Sequence, residues 1–112
     1  MEKEFLYVGH YTDTNGQYIL KIGTTNDLER RAKEHTRNYR KAKKHTLPQE
    51  ENFVYDWHLS LSKYNTIRYE DKNRSTWAEL GIGTFIRNDR FVCEEKPKTV
   101  QVTIRKTYEI VL

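Results

Sequence analysis

Eight of the sixteen residues from Arg30 to His45 are cationic: Arg30, Arg31, Lys33, Arg37, Arg40, Lys41, Lys43 and Lys44. Glu34 is the single acid among them. The stretch therefore carries +7 and the remainder −3, in a chain whose net charge is +4. Concentrated cations on an otherwise acidic chain suit a polyanion, because each lysine or arginine that meets a phosphate releases a condensed counterion. Nucleic acid is the partner this chemistry suits, an acidic protein is another, and a solvated helix face is the bland alternative. The stretch lacks a strong apolar face, which argues against a membrane surface. Other reactive types are sparse. A single cysteine, Cys93, excludes a disulfide framework and a multi-cysteine zinc site. His10, His45 and His58 show no metal-ligand spacing.

The elements that must position these groups follow from periodicity. Phe5 to Tyr11 and Tyr18 to Gly23 read as strands, with Asn15-Gly16 between them as a strong hairpin signal. The register of this hairpin has chemical consequences. A two-residue Asn15-Gly16 turn pairs Thr14 with Gln17 and sets Tyr7 and Lys21 on opposite faces. A three-residue loop, Thr14-Asn15-Gly16, pairs Asp13 with Gln17; Lys21 then lies opposite Gly9 and Tyr7 opposite Gly23, all on one face. Both loops are chemically allowed. Thr24-Thr25-Asn26 offers a helix N-cap, followed by Asp27 and Glu29 at the positive end of the helix. Leu28, Ala32, His35, Tyr39 and Ala42 then recur at helical spacing. Arg31 falls at the edge of that stripe and can look toward the sheet, whereas Arg30 points nearly opposite. The helix should fade before Leu47-Pro48.

Phe53 to Ser62 alternates cleanly and predicts a strand with Phe53, Tyr55, Trp57, Leu59 and Leu61 on one face. Thr66 to Leu80 reads as a second helix, broken by Gly81-Ile82-Gly83. Thr84 to Glu94 and Thr99 to Val111 read as two further strands joined by a turn at Glu95-Lys96-Pro97-Lys98. The order predicts an α+β fold: an antiparallel sheet flanked by helices, with a C-terminal β-hairpin. With 112 residues, 32% of them charged and 12% aromatic, the chain is expected to form one domain over 1–112. No apolar run approaches the ~18 residues of a membrane span. The first residues lack the pattern of a secretory signal, so a cytoplasmic location is expected.

Tyr7 on the first strand, Lys21-Ile22-Gly23 ending the second, and Leu28, Arg31 and His35 on the helix together resemble the GIY-YIG nuclease superfamily. Its pattern is a tyrosine-bearing first strand, a second strand ending in Tyr-Ile-Gly and a helix of the form Leu-x-x-Arg-x-x-x-His. Phe5-Leu6-Tyr7 stands where that pattern has Gly-Ile-Tyr, so its glycine is absent. Lys21 replaces its second tyrosine. The Lys-Ile-Gly form is similar to the branch common in phages and other mobile elements. The resemblance is good over about residues 5–35 and looser through residue 80.

Hydrolysis of a phosphodiester requires an oriented water, a route for its proton, cationic support for the phosphorane and help for the departing 3′ oxygen. The resemblance implies that Tyr7 orients or deprotonates the water, and that Lys21 acts as a base or an electrostatic clamp. It implies that Arg31 grips the scissile phosphate and that His35 binds phosphate or assists proton transfer. It also implies one divalent ion, Mg²⁺ or Mn²⁺, on a glutamate of the later helix. Glu70 is the expected ligand, Glu79 its competitor and Asp71 a distant third. Arg30, Lys33, Arg37, Arg40, Lys41 and Lys44 are expected to contact DNA. A metal-dependent DNA endonuclease is the function implied, and a non-catalytic DNA-binding module of the same fold is the alternative. A nuclease this small implies weak sequence specificity, recognition of DNA structure, or work with a protein partner or as a homodimer.

Overall fold

The computed structural model describes residues 3–12, 17–43, 53–86 and 90–112, with backbone alone at Lys3 and over 38–43. The fold is α+β, as expected. In chain order the elements are β1 (Lys3–Thr12), β2 (Tyr18–Thr25), α1 (Leu28–Lys43), β3 (Val54–Ser62), α2 (Lys63–Leu80), β4 (Thr84–Ile86), β5 (Arg90–Cys93), β6 (Thr99–Thr103) and β7 (Thr107–Val111). Five strands form one antiparallel sheet in the order β3-β1-β2-β5-β4, and β6 pairs with β7 in a second, two-stranded sheet.

The sheet has two apolar faces because its central strands are buried on both sides. Leu6, Val8, Leu20, Ile22 and Phe91 point to the face covered by α2 and the C-terminal hairpin, where Trp77, Val100, Val102 and Ile110 close the core. Tyr7, Tyr11, Ile19 and Phe53 point to the opposite face, where Leu28 and Ala32 of α1 pack on them. The C-terminal hairpin is pinned to α2 by polar contacts as well. Asn73 Nδ2 donates to the Thr103 carbonyl at 2.9 Å, the Thr103 amide donates back to Asn73 Oδ1 at 2.8 Å, and Trp77 Nε1 donates to the Gln101 carbonyl at 2.8 Å. Such reciprocal bonds let a buried amide side chain satisfy itself inside a core.

The β1–β2 pairing resolves the hairpin register. Tyr7 lies opposite Gly23 and Gly9 opposite Lys21, the register of the three-residue loop; Asn15-Gly16 themselves fall outside the described residues. The helix cap differs from expectation by one residue. Asp27, not Thr24 to Asn26, caps α1, its Oδ1 accepting from the Arg30 amide at 3.0 Å. Thr25 serves one step earlier: its hydroxyl accepts from the Asp27 amide at 3.1 Å. At the other end of the molecule Ser62 caps α2 by accepting from Asn65, and Gly81 ends the helix in a left-handed conformation (φ 71°).

Two strand expectations need correction. Phe53, Tyr55, Trp57, Leu59 and Leu61 do not share one face. A β-bulge shifts the register between Val8 and Gly9, so Gly9 faces Tyr55 and Val8 faces Trp57. The extra residue, Asp56, turns the strand over. Phe53 and Tyr55 therefore pack with the α1 face, and Trp57 and Leu61 with the α2 face. Asp56 is held by His10, Nδ1 to Oδ2 2.8 Å. Gly9 is required by this geometry rather than for flexibility: a Cβ there would collide with the Phe53 ring. Likewise, 84–94 and 99–111 are not two strands of one hairpin. Each is two strands, and β5 pairs with β2 rather than with β6. Within the second, the Ile104 amide donates to the Lys106 carbonyl at 3.0 Å, turning the chain at a point that lacks glycine or proline.

Candidate active site

The register places Tyr7 over Gly23, and the fit is close. A Cβ at position 23 would lie 2.5 Å from the Tyr7 hydroxyl, so the glycine of Lys21-Ile22-Gly23 is the floor on which the phenol rests. Tyr7 is fully buried. Its hydroxyl lies 2.6 Å from His35 Nε2, and edge contacts to Tyr55 and Phe53 fix its ring, with centroids 5.1 and 6.1 Å away. Tyr55 is itself anchored, donating to the Leu28 carbonyl at 2.6 Å.

The protonation states follow from the surroundings. Burial pushes the Tyr7 hydroxyl well above its ordinary range; the neighbouring Arg31 guanidinium pulls the other way, and the negative charge of Glu70 adds to the rise. Burial also pushes His35 down to about 3, helped by the positive charges of Lys21, Arg31 and Arg90. At neutral pH both partners are uncharged. A phenol that donates to the lone pair of His35 Nε2 satisfies both neutral groups. The imidazole then carries its own proton on Nδ1. The pair is a short proton path, poised with the proton on tyrosine.

Cations surround that path. Lys21 is buried, 5% exposed, on the face shared with Gly9 and Tyr7. Arg31 reaches the site from α1, at the stripe edge where its spacing placed it, and also donates to Glu34 at 2.8 Å. Burial works against the Arg31 charge, but the hydrogen bond to Glu34 and the nearby Tyr7 oxygen outweigh it and raise its pKa. Arg90 is a residue that sequence reasoning missed. It opens β5 directly beside Lys21, its guanidinium lies 5.8 Å from the Tyr11 ring centroid, and its charge is felt at His35. Among the described residues no carboxylate forms an ion pair with it. Nothing local could have signalled it, because its place is set by pairing with a strand about seventy residues earlier.

Glu70 is the carboxylate on α2 whose charge reaches Tyr7. Its side chain is 17% exposed and ion-paired with Arg74 at 3.2 Å. Asp71 is turned outward, 61% exposed, on the same arginine, and Glu79 is exposed near the end of α2. Among the described residues no group of three histidine, cysteine or acidic side chains gathers to hold a metal. One half-buried carboxylate fits a hard divalent cation such as Mg²⁺ or Mn²⁺, which keeps most of its shell as water and substrate oxygens. It does not fit a closed zinc site.

The basic helix is less uniformly free than its composition implies. Arg30 pairs with Glu34 at 3.4 Å and donates to Asn26 at 2.8 Å, and Lys33 pairs with Glu29 at 3.4 Å. These exposed pairs are weak and salt-sensitive. Arg37 is exposed. Side chains of Arg40, Lys41 and Lys43, and the whole of Lys44, lie outside the described residues. His58 packs edge-on against Phe5, centroids 5.6 Å apart. Cys93 is a buried strand residue whose thiol burial pushes up, as expected of an inert cysteine.

A five-stranded antiparallel sheet carrying a buried tyrosine–histidine pair, with lysine and arginine charge around it, defines a small α+β domain. The T5orf172 domain matches residues 4–84, and the chain belongs to that family. The family is phage-associated and occurs in nuclease-like and DNA-binding proteins. Neither curated proteins nor solved structures give a match. The match ends at residue 84, whereas the core continues through Val100, Val102 and Ile110. No helix among the described residues is long and apolar enough to cross a membrane.

Proposed function

We propose that this T5orf172 chain is a metal-dependent DNA endonuclease of GIY-YIG type. The observation that carries the reading is the gathering of Lys21, Arg31 and Arg90 charge around the paired Tyr7 and His35, from β1, β2, α1 and β5. Independent structural roles would not be expected to assemble these groups in one place.

In this reading the scissile phosphate sits among Lys21, Arg31 and Arg90. The attacking water donates to the Tyr7 oxygen. As the water oxygen bonds phosphorus, its proton passes to Tyr7 while the Tyr7 proton passes to His35 Nε2, so no free phenolate forms. Burial and three cations hold the imidazole neutral, and a phosphodiester would cancel the part of that effect due to charge. Substrate binding thus raises the basicity of His35 when it is needed. The cations stabilise the charge gathered on the phosphorane. Glu70 is the residue that would hold Mg²⁺ or Mn²⁺, which when bound supplies positive charge for the departing 3′ oxygen. Arg30, Lys33 and Arg37 of α1, with Arg40, Lys41 and Lys44 further along the basic stretch of the sequence, would hold neighbouring phosphates.

The Glu70–Arg74 ion pair favours a second reading, because a carboxylate already matched by an arginine is a weaker metal ligand. A DNA-binding module that does not cut would tolerate that pairing. Nicking of supercoiled plasmid with Mg²⁺, compared with EDTA, separates the two. Cutting that requires the metal and is lost in Arg31→Ala supports the nuclease. Retained DNA binding with no cutting of duplex, branched or single-stranded DNA replaces it with the binding module.

A further inference from the structure

The face of the sheet opposite the candidate active site carries a second feature that this reading does not use. A groove of about 530 Å³ runs between β3, the start of α2 and the β6–β7 turn. Its floor is apolar, built from leucines of β3 and Ile104. Arg68, Arg105 and Lys106 edge it, with the Asn65 amide, and no carboxylate among the described residues lines it. Outside the basic stretch the chain is net acidic, so three cations around an apolar floor are a local reversal of charge.

Two tyrosines stand at the groove with fixed rings. Tyr108 is held by Trp57 at a centroid distance of 5.4 Å, and Tyr69 packs against the main core. Each has a cation over its ring: Lys106 Nζ is 4.9 Å from the Tyr108 centroid, and Arg68 Cζ 5.5 Å from that of Tyr69. Aromatic faces bordered by mobile cations are the means by which proteins hold unpaired nucleotides, stacking the base and pairing the phosphate. The cation over each ring is exposed and flexible, so it can swing from the ring to a phosphate and leave the ring face to a base.

We propose that this groove binds a single-stranded nucleic-acid segment, its bases on Tyr69 and Tyr108 and its phosphates on Arg68, Arg105 and Lys106. A paired duplex does not fit the same chemistry, because its bases are stacked on each other and only its phosphates are offered. The groove lies across the sheet from Tyr7, so a strand held here is distinct from the one at the candidate active site. The proposal goes beyond the nuclease reading and does not require cutting.

The test is fluorescence anisotropy of labelled oligothymidylate with the full chain in EDTA, where metal-dependent cutting cannot confuse the signal. Thymidylate should bind about fivefold or more tighter than an abasic strand of equal length, the loss expected for at least one stacked base. The triple variant Arg68→Glu, Arg105→Glu, Lys106→Glu should weaken binding more than tenfold and flatten its salt dependence by about 2 in the log–log slope, from ~0.7 per phosphate contact. Duplex binding should change little, because α1 carries it. Equal thymidylate binding by the wild type and the triple variant would overturn the proposal. So would equal binding of abasic strand, or displacement of thymidylate by oligoglutamate at matched charge, which would point to an acidic protein instead. A chain that binds thymidylate in this groove yet cuts no DNA would retain the proposal and lose only the nuclease.

Discussion

His35 is 5% exposed, and its pKa falls from the ordinary 6.5 to about 3, chiefly by burial and further by Lys21, Arg31 and Arg90. That displacement must appear in the stability of the whole domain. Between those two values the unfolded chain holds a proton at His35 that the folded chain excludes. Unfolding then takes up a proton, and stability falls as pH falls. At about 1.4 kcal/mol per unit, the loss between about pH 7.5 and about pH 5 amounts to roughly 2 kcal/mol. That is a large share of the ~5–15 kcal/mol that holds a domain folded. It corresponds to a fall of roughly 1 M in a urea midpoint. The assay is urea unfolding followed by the fluorescence of buried Trp77, in wild type and in His35→Gln. Glutamine offers the Tyr7 hydroxyl an acceptor but does not titrate. The wild-type curve should lose about 2 kcal/mol more than the variant between those pH values. Parallel curves would refute the argument and would mean that His35 protonates as easily folded as unfolded. The proton path would survive that result, because an imidazole with its ordinary pKa is still mostly neutral above about pH 7 and a better base.

Much of this site was legible because its parts are local. Tyr7, Lys21 and Gly23 lie on one hairpin, and Arg31 and His35 are spaced four apart on one helix, so strand alternation and helical period place them once the register is known. The register was the missing datum, because two loop chemistries at Thr14-Asn15-Gly16 satisfy the same turn signal. The strand at Val54–Ser62 was misread for a different reason. Its alternation is real, but Asp56 is inserted as a bulge, and a bulge has no period of its own. Non-local pairing hid the rest. Arg90 enters the site only because β5 adds to the edge of β2, and the turn at Ile104 to Lys106 is made without glycine or proline. The groove between β3, α2 and the final hairpin depends on contacts such as Asn73 with Thr103 that no single segment announces.

The remaining predictions probe the floor, the flank and the acid of the site. Gly23→Ala should displace the Tyr7 phenol, breaking its bond to His35 and costing about 1–3 kcal/mol by overpacking; an unchanged thermal midpoint with full activity would contradict the close approach. Arg90→Ala should lower plasmid cutting while leaving the fold intact, and it should raise the pKa of His35 as measured by its NMR titration; an unmoved His35 would place Arg90 outside the site. Affinity for duplex DNA should fall steeply with salt, and charge reversal at Arg37, Arg40 and Lys44 should weaken all sequences about equally; binding constant from low to high salt would contradict a phosphate interface. The choice of acid is decided by comparing Glu70→Ala with Glu79→Ala. Glu70 is half-buried and its charge reaches Tyr7, whereas Glu79 is exposed at the far end of α2. Removing Glu70 takes away the carboxylate and leaves Arg74 paired with Asp71, which points outward, so cutting should be abolished and higher Mg²⁺ should not restore it. Alanine favours helix, and neither substitution should unfold α2. Glu79→Ala should keep most of its activity. The reverse pattern, with Glu79→Ala dead and Glu70→Ala active, would mean that the ion sits at the C-terminal end of α2, away from the tyrosine, and that the convergence around Tyr7 serves binding alone.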